Sequence, residues 1–155
     1  MEVLLGDERV DLNIVSKEYG YTALIFAARK GHASVVEVLL GDERVDRNIV
    51  SKDGLSALTI AAKGGHASVV EVLLGDARVD RNIVDNDKHG YTALICAAKG
   101  GHASIVEVLL GDERVDRNIV DKVFGSTALM YAAIAEHTSV VEVLLGDERV
   151  DRNIV

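Results

Sequence analysis

The chain has 155 residues, 48% of them hydrophobic and 27% charged, with a formal net charge of −8 and one cysteine, Cys96. These values exclude a disordered chain and an internal disulfide, and they disfavour nonspecific attraction to nucleic acid or an anionic membrane, leaving basic or mixed protein surfaces as partners. No apolar run reaches the ~20 residues a membrane span needs, and the opening Met1–Glu8 is neither basic nor long enough for a secretory signal, so a cytoplasmic address is expected.

One stretch is written again and again. Ser34–Val50 returns at Ser68–Val84 with Ala77 as the only change, at Ser104–Val120 with Ile105 as the only change, and unaltered at Ser139–Val155. A truncated copy, Glu2–Val15, precedes them. The recurring glycine falls at Gly6, Gly41, Gly75, Gly111 and Gly146, spacings of 35, 34, 36 and 35, the mark of a solenoid of stacked supersecondary units. The expected organisation is a single repeat domain, 1–155, with a half repeat at 1–15 and full repeats at 16–50, 51–84, 85–120 and 121–155.

Within a unit the order of elements follows from local chemistry. Thr22, Ser56, Thr92 and Thr127 each precede a helix-favouring run, so each hydroxyl is placed to accept from free backbone N–H groups and start a first helix. Leu58, Ala61 and Ala62 share one face of that helix, and the two alanines allow close approach of a neighbour. Gly65 ends it, because a left-handed backbone is cheap for glycine. A second helix presents Val69, Val70, Leu73 and Leu74 as an apolar stripe and ends near Gly75. Ser68 and Glu71 fit a capping box, or fall in the first turn if the helix begins directly after His66. From Asp76 to the next hydroxyl the chain is polar and turn-rich, and we read it as an extended return with a hairpin tip.

These residues resemble the ankyrin repeat. The family pattern appears as Asp46-x-Asn48, Gly54-x-Ser56-Ala57-Leu58-Thr59-x-Ala61-Ala62, Gly65-His66 and Val69-Val70-x-x-Leu73-Leu74, and it recurs through the whole chain. The resemblance implies an all-α solenoid of helix-turn-helix repeats with short β-hairpin loops between them, and a noncatalytic protein-binding role without a cofactor. The family's proline at the first helical position is Ala23, Ala57, Ala93 and Ala128 here, and its following histidine is Ile25, Thr59, Ile95 or Met130. Glu136 stands where Gly31, Gly65 and Gly101 stand. If that backbone is left-handed it costs on the order of 1 kcal/mol, and the last unit should fray first.

Function belongs where the copies differ. The tips, Ser16–Tyr19, Ser51–Asp53, Asp85–His89 and Asp121–Phe124, vary in length and sequence, and the scarce aromatic residues gather at or beside them. Tyr19, Tyr21, His89, Tyr91 and Phe124 read as contacts for a protein partner, with Lys52, Leu55 and Lys88 beside them; loop drift on a tolerant surface gives the same pattern. In ankyrin-like folds the outward face of the first helix lines a concave groove. Here it would present Phe26, Ile60, Cys96 and Tyr131 in one row with Arg29, Lys63, Lys99 and Ile134 alongside, either a groove for an amphipathic or acidic peptide or simple packing between repeats.

His32, His66, His102 and His137 recur once per unit, ~10 Å apart as neighbouring helices are, too far to share one metal ion at ~2 Å bonds. They read as helix-junction residues. The sequence has no phosphate loop, paired-carboxylate site or nucleophile elbow, and the recurring acids, Asp42, Glu43 and Asp46 among them, read as solvated scaffold. The apolar Val3, Leu4 and Leu5 at one end, and the Val140, Val141, Leu144 and Leu145 helix at the other, raise a further expectation of end-to-end self-association. A piece of a longer array and a spacer or designed repeat scaffold without a dedicated ligand account for them equally.

Overall fold

The computed structural model describes residues 6–153, so the apolar Val3–Leu5 stretch lies outside the described residues. The described chain is helical, with no strand. Its helices are α1 (Ala23–Lys30), α2 (Ala33–Leu40), α3 (Ala57–Gly64), α4 (Ala67–Leu74), α5 (Ala93–Gly100), α6 (Ala103–Leu110), α7 (Ala128–Ile134) and α8 (Thr138–Gly146). The odd-numbered helices pack side by side as an inner layer, the even-numbered ones as an outer layer, and each inner helix packs on the outer helix that follows it.

The helix starts behave as the hydroxyl residues dictate. Thr22, Ser56, Thr92 and Thr127 each hold an extended backbone and accept from the N–H three residues on, at 3.1 to 3.3 Å. In α3, Thr59 also hydrogen bonds Ser56 through its hydroxyl at 3.1 Å, so part of a polar link survives where the family histidine is absent. Leu58, Ala61 and Ala62 are fully enclosed, as are Val69, Val70 and Leu73 on the outer layer. Bare alanines let the inner helices approach closely, which is what the stacking of α1, α3, α5 and α7 requires.

The outer helices start without a side-chain cap. Their N-caps are His32, His66, His102 and His137, and none makes the bond. The capping-box alternative for Ser68 and Glu71 is therefore corrected: the helix begins at Ala67, Ser68 lies inside it, and Glu71 falls just past the first turn. Gly65 takes φ 76°, and a methyl group there would come within 2.9 Å of the His102 ring. The equivalent Glu136 holds φ 59°. A side chain thus sits in the left-handed region at the last unit alone among the inner-helix ends.

The hairpins are reduced to turns. Each tip is closed by a backbone bond from the N–H of Ser16, Ser51, Asp85 and Asp121 to the carbonyls of Tyr21, Leu55, Tyr91 and Ser126 at 2.9 to 3.0 Å, and the N–H groups of Gly20, Gly54 and Gly90 donate back to the carbonyls of Ser16, Ser51 and Asp87 within the turn. One further bond joins each tip to its neighbour: Lys52 to Tyr19, Asn86 to Asp53, and Lys122 to His89. A single rung on either side is too little for a ladder, so the β-hairpin expectation becomes a row of linked turns.

The returns hold the stack by a device that the expectation of solvated acids misses. Arg47, Arg81 and Arg117 are buried, and their Nε atoms donate to Asp76, Asp112 and Asp147 of the following unit at 2.9 to 3.1 Å. Each guanidinium also satisfies carbonyls of its own unit; Arg81 donates to Leu74, Asp76 and Val79. Beside them run asparagine rungs. Asn48 donates to the Arg78 carbonyl at 2.9 Å and accepts from the Asp80 N–H at 2.8 Å, and Asn13, Asn82 and Asn118 do the same one unit apart.

Candidate functional site

The varied residues lie on one side of this stack, at the tips and along the inner layer. Positive φ values at Gly20, Gly54, Gly90 and Gly125 turn each tip back toward its helix. At Gly54 there is no room for a side chain, since a methyl group would meet the Asn86 backbone at 2.2 Å. The tips are therefore held shoulder to shoulder, and the aromatic residues on them form continuous stacks.

In the first unit Tyr19 stacks on Tyr21 at 5.4 Å between ring centres, and Tyr21 meets Phe26 edge-on at 5.2 Å. Tyr21 is buried while Tyr19 and Phe26 are exposed. Further along, Phe124 stacks on His89 at 5.9 Å, His89 on Tyr91 at 5.2 Å, and Tyr91 meets Tyr131 edge-on at 5.4 Å. This second stack leads from Phe124, 72% exposed, down to the buried Tyr91 and Tyr131, whose hydroxyls hydrogen bond at 3.3 Å. Burial and that bond push the Tyr131 hydroxyl's pKa upward. The His89 Nδ1 atom is buried and has no hydrogen-bond partner.

A groove of about 730 Å³ opens between the second and third tips and the inner helices α3 and α5. Lys52, Lys63, Lys88 and Lys99 edge it, with Leu55, Tyr91 and Cys96 beneath and Asp53, Asp85 and Asp87 along the tip side. Asp85 is buried and accepts from the Tyr91 N–H at 3.0 Å, which fixes the third tip. The Lys99 ammonium lies 4.6 Å from the Tyr91 ring centre and 5.6 Å from that of Tyr131, and it donates to the Tyr91 hydroxyl at 3.2 Å. In the first unit the Arg29 guanidinium rests 5.5 Å from the Tyr21 ring centre.

The expected apolar row is only partly open. Phe26 and Ile134 are exposed, whereas Ile60, Cys96 and Tyr131 are buried together with Leu55. Leu55 and Cys96 line the groove floor with Tyr91, and the side chains at its edge that reach solvent include the cations. Burial, with Asp85 nearby, pushes the Cys96 thiol up to about 12 against the opposing pull of Lys63 and Lys99. It is a protonated packing residue rather than a nucleophile. The histidines serve the junctions: the His66 ring bonds the Arg29 carbonyl at 2.9 Å and the His137 ring the Lys99 carbonyl at 3.1 Å.

The buried arginines that hold the face were missed, though the sequence contains a clue to them. Leu12 occupies in the first copy the place of Arg47, Arg81 and Arg117, and it packs against the core. A leucine at a recurring arginine position marks that position as inward.

A family model described as ankyrin repeats (3 copies) matches the chain three times, over residues 1–85, 42–121 and 78–154. Among curated proteins there is no significant match. With paired helices, left-handed junctions, linked tips and asparagine rungs all recurring at the spacing of the copies, the chain belongs to the ankyrin repeat family.

Proposed function

We propose that the chain is a noncatalytic protein-binding module that meets its partner with the tips and the inner face. Ankyrin repeats generally mediate protein–protein interaction. The observation that carries the reading to this face is the aromatic stack from Phe124 through His89 and Tyr91 to Tyr131. An exposed aromatic ring backed by a fixed stack loses little freedom on binding, which is the property of an interface hot spot. Tyr19 and Phe26 supply a second such point around Tyr21. The stacked repeats act together as one support, and the lone buried thiol suits a reducing cytoplasmic setting.

The test is to select binders from an unbiased peptide library and measure them against Tyr19→Ala, Phe26→Ala and Phe124→Ala. Loss of binding with unchanged helical signal and unfolding midpoint supports the reading. The near identity of the copies favours a second reading, a spacer or repeat scaffold with no dedicated ligand. Then no specific binder is selected and the three substitutions change nothing.

A further inference from the structure

We propose that the inner groove selects an extended acidic peptide with carboxylates at every third residue, an inference that rests on the binding-module reading above. The chain distributes its charge pairs unevenly between the returns and the inner face. The exposed arginines of the returns, Arg9, Arg44, Arg78, Arg114 and Arg149, each pair with an aspartate two residues before them. Among the described residues, the inner-face cations Arg29, Lys63 and Lys99 pair with no carboxylate, although the chain carries eight more acidic than basic groups. They occupy the same position of successive inner helices and so form a row.

Two members of the row are held in place. Arg29 and Lys99 rest on the faces of Tyr21 and Tyr91, and tyrosine faces restrict a cation without neutralising it. Lys63 stands between them, where Leu55 replaces the tyrosine, on the same groove edge as Lys99. The tip acids Asp53 and Asp87 line the groove beside Lys52 and Lys88, so the tip side carries mixed charge while the helix edge at Lys63 and Lys99 carries cations alone.

The spacing gives the register. Neighbouring helices stand ~10 Å apart, and an extended chain in the polyproline II conformation advances ~3.1 Å per residue with about three residues per turn, so a peptide running along the stack presents the same face to one cation every third residue. Acidic side chains at i, i+3 and i+6 then face Arg29, Lys63 and Lys99, and the residues between them lie toward the floor or solvent. A helical acidic segment would place i and i+3 only about 5 Å apart and would miss the row.

Fluorescein-labelled nine-residue peptides in a serine host provide the probes: glutamate at every third position, three glutamates at every second position, and lysine or glutamine at every third position. Fluorescence anisotropy at low salt should show the third-position glutamate peptide binding tightest. Lys63→Gln with Lys99→Gln should weaken it about tenfold without altering the helical signal, and added salt should weaken it further. Equal affinity for the two glutamate spacings, or no effect of the double substitution, overturns the inference. Better binding of the lysine or glutamine peptide overturns the acidic chemistry but leaves a peptide-binding groove. If no peptide binds at all, the groove reading itself falls with it.

Discussion

Two arginines bond the carboxylate of Asp112, and they should differ greatly in worth. Arg81 reaches it from the preceding unit at 2.9 Å with its side chain 2% exposed, and Arg114 reaches it from the same turn at 3.0 Å with its side chain 52% exposed. Arg81→Met keeps the bulk of the side chain but removes every donor, depriving the carbonyls of Leu74 and Val79 and one side of Asp112 of this partner, while the Asp76 carbonyl keeps the Val79 N–H. Breaking a buried pair in this way costs about 3–5 kcal/mol. Arg114→Met removes an exposed pair and costs less than about 1 kcal/mol. Because a solenoid is stabilised by nearest-neighbour contacts, the first change also uncouples the second unit from the third and broadens the transition. Urea unfolding followed by circular dichroism at pH 7 reads both effects; with a slope of about 1–3 kcal/mol per molar, the Arg81 midpoint falls by more than about 1 M. If the two variants lie within about 1 kcal/mol of one another, the returns are not what couples the units.

Hydrogen bonds from Arg78, Arg114 and Arg149 hold Asp76, Asp112 and Asp147 far below the usual carboxylate range, with Arg47, Arg81 and Arg117 adding to them. A depressed folded-state pKa contributes stability above the unfolded value, so the urea midpoint should stay level above about pH 5 and fall below about pH 4; a midpoint unchanged at pH 3 would contradict this. Glu136→Gly relieves a left-handed backbone and should stabilise by about 1 kcal/mol. Gly101→Ala does the reverse, because its φ is 75° and the added methyl would stand 2.8 Å from the His137 ring; equal unfolding midpoints for the two variants would refute the strain argument. The buried Cys96 thiol should resist an aromatic disulfide reagent at pH 8 until urea unfolds the chain, and rapid reaction of the folded protein would show that the groove floor is open.

Local chemistry made the helices legible. Hydroxyls at Thr22, Ser56, Thr92 and Thr127, alanine faces and terminal glycines act within a few residues, and the copies repeat the signal four times. The outer-helix starts were less legible, because Ser68 and Glu71 fit a capping box in spacing alone while His66 occupies the N-cap. Long-range features were hidden for a different reason. Arg81 and Asp112 are separated by 31 residues, and charged residues on a polar return look solvated until the next unit covers them. The same covering buries Ile60, Cys96 and Tyr131, three members of the row expected to be open. Variation between copies marked the tips and the ankyrin resemblance pointed to the inner face, but which side chains would emerge there depended on how tightly α1, α3, α5 and α7 stack.

The most direct measurement is amide hydrogen exchange of the chain with and without a binder selected from an unbiased library. The account predicts added protection at the four tips and the inner helices α1, α3, α5 and α7, with the outer helices unchanged. Protection confined to α2, α4, α6 and α8 would place the binding face on the opposite side of the solenoid and contradict it.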